Sequence, residues 1–299
     1  MKKIILFTLI MLVVFGMTVQ AAETEITVSS KAFTEQLILG HMTLELLEEE
    51  GFPVKDEIGV GATDLLRPAM QDEEIDLYWE YTGTALTVVM EEDEITDSEK
   101  AFEKVKKWDE ENNDIAWLDY ASANNTYGIM VRENWGQEKD IETISDLADY
   151  IDDRPNSVSM ATDTEFYERP DGLSMVEDKY EFKFGENNLT FLEIGLTYGA
   201  LDEKEVDAAM GFKTDGRIEG FDLRMLEDDK NVFPVYNPAP TVRQEILDEH
   251  PGIKEPLAEL AESLDTETLR NLNQKVDVDE EEPEEVAIDH LEEEGLIKK

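Results

Sequence analysis

The chain has 299 residues, with 73 Asp+Glu against 26 Lys+Arg, a formal net charge of −47 at pH 7, and no cysteine. That balance excludes the basic footprint of a nucleic-acid binder, and the lack of cysteine excludes disulfides, thiolate metal sites, a cysteine nucleophile and a lipid-modified N-terminal cysteine. The acids are spread along the chain and 41% of residues are hydrophobic, in regular periods, so the composition predicts a folded protein with a carboxylated surface suited to concentrated salt.

The N-terminus reads as a secretory leader. Lys2 and Lys3 precede an apolar run over 4–15, and Val19-Gln20-Ala21 fits a small-residue cleavage site after Ala21. The run is too short for a convincing membrane span. With no cysteine to carry lipid, the expectation is an exported, soluble, unanchored periplasmic protein.

After the leader, 25–29 predicts a strand, and Thr34 is placed to cap a helix to Gly51 with Ile38, Met42 and Leu46 on one face. A strand at 58–60 and a helix capped by Thr63 follow. Next comes IDLYWEYTGT at 75–84. As a strand it alternates Leu77, Trp79 and Tyr81 with Tyr78 and Glu80, and it places Tyr81 at its C-terminal end and Thr84 near a helix start. In open α/β sheets that edge is where ligands bind. This β-α-β-α-β order predicts a parallel sheet. Tyr78 and Trp79 are expected to pack in the core.

A helix over 91–113 and a strand at 115–118 lead to the polar, turn-prone stretch 122–126, expected to cross into a second lobe. A strand at 127–131 and a helix capped by Ser145 open that lobe. Strands at 158–161 and 189–194 follow, and then one ending at Phe212. Ala200–Asp207 (ALDEKEVD) repeats the pattern of Ala69–Asp76 (AMQDEEID), and the shared register sets Phe212 opposite Tyr81. Two similar units, each ending in an aromatic ring, predict two lobes facing one cleft. The stretch 232–236 is the expected return, with Pro238 and Pro240 stiffening its exit. Beyond 241 the chain reads as helical, with Asp265 capping the helix that starts at Thr266 and a last helix through Ile297. The expected division is leader 1–21, lobe 1 at 22–124 and 232–299, and lobe 2 at 125–231.

Six fragments, SSKAFTEQ, EYTGT, NNTY, ERPDGL, TDG and FPVYNP, occur in this order. Together they resemble the osmoprotectant-binding proteins of ABC importers, which take glycine betaine, choline, carnitine or proline betaine. The resemblance spans essentially the whole mature chain. It implies the two-lobe α/β periplasmic-binding-protein fold, each lobe a mostly parallel sheet flanked by helices, with the ligand between the lobes. It also implies a monomer that delivers solute to a membrane permease and needs no cofactor.

Residue by residue, the resemblance makes Tyr81, Tyr127 and Tyr236 rings of a cage for a quaternary ammonium. Phe212 stands where the family usually has tyrosine, and the main-chain carbonyl of Asn125 completes the cage. The ligand carboxylate is assigned to Lys31, Thr84 and Arg169, with Gln36 a weaker candidate. Such a cage makes chemical sense, because a quaternary ammonium has no N–H and is held by aromatic faces. With two cations awaiting a carboxylate, the site is expected to prefer zwitterions over choline. Arg169 has a plainer alternative, an ion pair with Glu165 or Asp171.

Other classes find little support. His41, His250 and His290 are scattered, and no GxSxG, HExxH, Walker or GxGxxG motif occurs. A calcium-binding loop of the DxDxDG type is also missing. Related cationic or zwitterionic solutes, polyamines included, remain the alternative ligands.

Overall fold

The computed structural model describes residues 24–298, so the expected leader lies outside the described residues. Ten strands form two sheets: β1 (Ile26–Lys31), β2 (Val54–Gly61), β3 (Leu77–Tyr81), β4 (Ile115–Trp117), β5 (Tyr127–Arg132), β6 (Met160–Thr162), β7 (Leu189–Phe191), β8 (Ala208–Phe212), β9 (Leu223–Met225) and β10 (Pro238–Arg243). The strand orders are β2-β1-β3-β10-β4 and β7-β6-β8-β5-β9. The two orders follow one plan. In each sheet three strands run parallel, and the fourth, β10 or β5, lies antiparallel to the third. That fourth strand is the one the chain enters just after passing between sheets, so each lobe is completed by the crossing. The repeat read from the sequence is therefore real in space: Tyr81 and Phe212 end the equivalent strands β3 and β8.

All five residues of β3 are buried. Trp79 packs under the helix Thr34–Glu49 and donates its Nε1–H to Thr43 Oγ1 at 2.8 Å. Tyr78 packs on the other face against Leu66 and Met70. Helices therefore cover both faces, as a parallel sheet requires. On the Tyr78 side, Arg67 and Asp109 form a buried two-point pair, at 3.1 and 2.5 Å, and the Trp117 indole also donates to Asp109 at 2.6 Å.

The two crossings are tied to each other. Asn125 N donates to Tyr236 O at 3.1 Å, and Tyr236 N to Asn124 Oδ1 at 2.8 Å. Asn237 Nδ2 donates to Ala123 O at 2.7 Å, and the Thr126 hydroxyl to Pro234 O at 3.0 Å. These bonds hold the two crossings side by side, the arrangement of a two-segment hinge.

Several local expectations are corrected. Thr34 and Thr63 are the first helical residues and not caps. Phe33 and Ala62 hold the extended cap position, because β1 and β2 deliver the chain extended to those points. The Thr34 hydroxyl instead donates to Asp277 Oδ1 at 2.7 Å. Thr143, not Ser145, caps Ile144–Asp153, in a capping box with Asp146. The helix expected from 91 starts at Ser98, capped by Asp97. Asp265 does cap Thr266–Asp277, accepting from Thr268 N at 2.7 Å. The last helix, Pro283–Glu293, stops short of Ile297.

The largest correction is β10, a central strand where a stiff exit and then helix were expected. Two prolines in a central strand normally delete ladder bonds. Here Pro238 and Pro240 turn their backbone edge toward the β4 side, where pairing with β4 begins only at Thr241. Beyond that point the neighbouring chain only donates, from Ala121 N to Pro238 O at 2.9 Å and from Leu118 N to Pro240 O at 3.0 Å. The missing proline N–H groups therefore cost no bond.

Candidate functional site

The C-terminal ends of β3 and β8 face a cleft of about 820 Å³ between the lobes, within the roughly 300–1,000 Å³ range of small-molecule pockets. Eight of the nine expected residues line it: Lys31, Tyr81, Thr84, Asn125, Tyr127, Arg169, Phe212 and Tyr236. Gln36 does not. It is fully buried one helical turn in, and its Oε1 accepts from the Lys31 backbone N–H at 3.5 Å. Its position in the first turn of Thr34–Glu49 turns it under β1 and away from the cleft.

The rings form a continuous array. Tyr127 and Phe212 are cross-strand partners of β5 and β8, with centroids 4.9 Å apart. Tyr236, in the return crossing, meets Tyr127 edge-on at 5.6 Å. Phe33 completes the array from lobe 1, stacked on Tyr81 at 6.3 Å and on Phe212 at 6.2 Å. Tyr236 presses on Gly83, where even a Cβ would lie 2.6 Å from the ring. Glycine there lets the third strand's exit and the return crossing approach closely.

The cations are not set apart at an opposite end. Lys31 Nζ is bonded to the buried Glu80 at 2.5 Å and sits 5.1 Å from the Tyr81 ring centroid. Arg169 binds Asp171 through Nε and one terminal nitrogen, each at 2.8 Å, and reaches Glu165 at 2.9 Å. Its guanidinium lies 5.4 Å from the Tyr127 centroid and 5.9 Å from that of Tyr236. The Tyr236 and Thr87 hydroxyls also donate to Asp171. Burial alone would raise the Asp171 carboxyl, but Arg169 and these hydroxyls hold it below its ordinary range.

This overturns one expectation. Lys31 and Arg169 each have a carboxylate partner already, so choline would not leave two bare cations behind. The plainer alternative for Arg169, pairing with Glu165 and Asp171, is what occurs, though inside the cleft wall and not on the surface. Thr84 is buried at the cleft in the short helical turn Thr82–Thr84, which runs on into Ala85–Val89. Asn125 is at the wall, but its side chain faces inward, donating to Glu35 at 2.8 Å.

Sequence reasoning missed Phe33, Glu35 and the full role of Asp171. Phe33 and Glu35 lie inside SSKAFTEQ, beside residues that were chosen. Aromatic character next to Lys31 was the available signal for Phe33. A further set of acids, Asp163, Glu165 and Glu193, lines the lobe 2 side of the cleft. Burial pushes the Asp163 carboxyl up.

Two α/β lobes with one plan, joined by a paired crossing and enclosing a ring-lined cleft, define a two-lobe solute-binding protein. Residues 24–293 match the family model described as the substrate binding domain of ABC-type glycine betaine transport systems, and the chain belongs to that family. It is 36% identical to the glycine-betaine-binding protein of Pseudomonas aeruginosa, over 95% of this chain and 92% of that one. It is 35% identical to the glycine betaine-binding protein YehZ of Escherichia coli, over 97% of both chains. The solved structure of apo YehZ superposes with a TM-score of 0.73, covering 91% of this chain and 99% of that one. Among the described residues no helix is long and apolar enough to cross a membrane.

Proposed function

We propose that this chain captures glycine betaine, or a related quaternary-ammonium osmoprotectant, between its lobes and delivers it to the permease of an ABC importer. The observation that carries this reading is the convergence of Tyr81, Tyr127, Phe212 and Tyr236, with Phe33, on one cleft in a chain of this family. Each ring face contributes roughly 0.5–2 kcal/mol to holding an onium ion. Three or four faces give roughly 1.5–8 kcal/mol, so micromolar binding, about −8 kcal/mol net of association costs, also draws on burial of the methyl groups and on the contacts to the ligand's other end. Thr84 and Arg169 are the proposed contacts for a carboxylate, with Arg169 sharing its donors between ligand and Asp171. In this reading residues 1–21 are a leader directing export to the periplasm, and the lobes are 22–124 with 232–299, and 125–231. The protein acts as a monomer without a cofactor and performs no chemistry on its solute.

One observation favours a second ligand class. Both cleft cations are neutralised, and Asp163, Glu165 and Glu193 add negative charge. A purely cationic solute such as choline therefore fits the charge balance as well as a zwitterion does. Calorimetric titration with glycine betaine, choline, carnitine and proline betaine tests both. Saturable binding of betaine without turnover supports the reading, choline binding alone supports the second, and binding of none of the four sinks it.

A further inference from the structure

Glu35, in the first turn of Thr34–Glu49, is enclosed behind Tyr81 with 2% of its surface exposed. It accepts from the Tyr81 hydroxyl at 2.8 Å, from Asn125 Nδ2 at 2.8 Å and from Asn273 Nδ2 at 3.0 Å. These partners are neutral, and among the described residues no ion pair reaches Glu35. Glu80 has Lys31 and Asp171 has Arg169, so Glu35 is set apart from the other carboxylates around the rings. The two amides are held at a cost. Each directs its N–H at Glu35 and leaves its own side-chain carbonyl buried without a partner. Turning either amide would aim that carbonyl at the carboxyl oxygens, so both N–H groups are set to face an acceptor there, and Asn273 also donates to Thr214 O at 2.9 Å.

We propose that Glu35 is the counter-charge of the cleft, a specificity-determining residue that acts through Tyr81 to favour a cationic head over a neutral one of the same shape. This rests on the reading of the cleft as an onium site. A phenol that donates to a carboxylate is polarised, so its ring face becomes more negative and attracts a cation more strongly. The carboxylate's own field adds to this in surroundings that screen charge poorly. In the empty cleft the ionised form is costly: burial pushes the carboxyl up from the ordinary value of 4.5, and hydrogen bonds from Thr214, Tyr81, Asn273 and Asn125 offset only part of that. A bound cation favours ionised Glu35, so binding releases a proton wherever the empty protein holds one.

The other charged groups facing this region are accounted for. On the Tyr81 side stands the Lys31–Glu80 pair. A smaller chamber of about 230 Å³ on the far side of Glu35 holds Asp215 and Asp277, both bonded to Arg217, at 2.7 and 2.9 Å. In the main cleft Asp163, Glu165 and Glu193 face the rings. Asp163 and Asp277 are also raised by burial, so they are the other carboxyls that a pH profile could report.

The test is calorimetry on the whole protein with tetramethylammonium, glycine betaine and 3,3-dimethylbutyrate, which has betaine's shape without its positive charge. Buffers of differing ionisation heat count the protons released from about pH 5 to about pH 8. The wild type should bind both onium ligands about tenfold more tightly at the upper end, with proton release on the way, while dimethylbutyrate gains nothing. In Glu35→Gln the rise and the release should vanish, and onium affinity at the upper end should fall about tenfold, 1.4 kcal/mol. Tyr81→Phe keeps the ring, removes one donor to the carboxylate and should move the midpoint of the profile to higher pH. That variant decides the matter if Glu35→Gln does not fold. Onium binding without proton release, or a profile unchanged in both variants, overturns the inference alone and assigns any titration to Asp163 or Asp277. A wild type that binds no onium ligand at any pH overturns the reading of the cleft as well.

Discussion

Replacing Arg169 with alanine would leave Asp171 in the cleft wall without its two-point partner. Tyr236 and Thr87 would still donate to it, but no cation would remain beside it. Breaking a buried pair from one side costs on the order of 3–5 kcal/mol. Arg169→Ala should therefore lower the unfolding temperature markedly, and Asp171→Ala in the same chain should restore part of the loss. A single variant as stable as wild type would show that the pair is solvated. The ring substitutions act differently. Tyr81→Ala, Tyr127→Ala and Tyr236→Ala each remove one face from the array, and each should weaken betaine binding by about five- to thirtyfold, 1–2 kcal/mol. Titration of the folded variants checks this, and unchanged affinity in all three removes the cage. At this scale the sequence disclosed every ring of the array but Phe33, and both cations, because those residue types are sparse and sit in recognisable fragments. The partners of Arg169 stood beside it as the plainer alternative, but Glu80, the partner of Lys31, was hidden. With 73 acids in the chain, nothing in the sequence distinguishes Glu35 or Glu80 from carboxylates that are merely hydrated. Only burial and geometry do.

Secondary structure divides along similar lines. Elements whose pattern reflects burial on two faces, such as β3 and β8, were legible because continuous apolar runs and a repeated turn bracket them. Helix starts were less so, since several serines, threonines and aspartates compete within a residue or two of each start. Thr143 wins over Ser145 because Asp146 closes the box: its carboxylate accepts from the Thr143 N–H at 2.9 Å while its own N–H donates to Thr143 Oγ1 at 3.0 Å. Thr143→Ala should cost about 1 kcal/mol. Ser145→Ala loses an exposed bond to Asp229 and should stay within about 0.5 kcal/mol. Thermal unfolding of the two variants separates them, and equal losses would refute the box. The strand β10 was illegible for a deeper reason. Prolines forbid donors at two positions, and only the tertiary neighbour on the β4 side, which needs acceptors there, makes that harmless. Local sequence carries no trace of a neighbour more than a hundred residues away.

The whole molecule holds a net charge of −47 together with an interior in which the buried Lys and Arg each have a carboxylate partner and Glu35 is set apart. Lys31–Glu80, Arg67–Asp109 and Arg169–Asp171 are enclosed, so salt reaches them poorly. The surplus acids lie mostly outside, where repulsion acts through water and the Debye length sets its range, about 10 Å at 0.1 M salt and about 3 Å at 1 M. Exposed bridges such as Lys100–Asp97 and Lys107–Glu111 weaken with the same screening, but each is worth little and they are few against the surplus. Repulsion therefore dominates the salt response. The unfolding temperature should climb steadily from dilute buffer to molar KCl and then level off, once the screening length falls below the spacing of neighbouring carboxylates. NaCl should give the same curve, because screening depends on ionic strength and not on the identity of the cation. A cation-specific difference would instead mean that carboxylate clusters bind particular ions. A flat profile in both salts would show that the surface acids are already spaced widely enough to ignore one another, and would remove the link between this composition and concentrated salt while leaving the cleft and its ligand untouched.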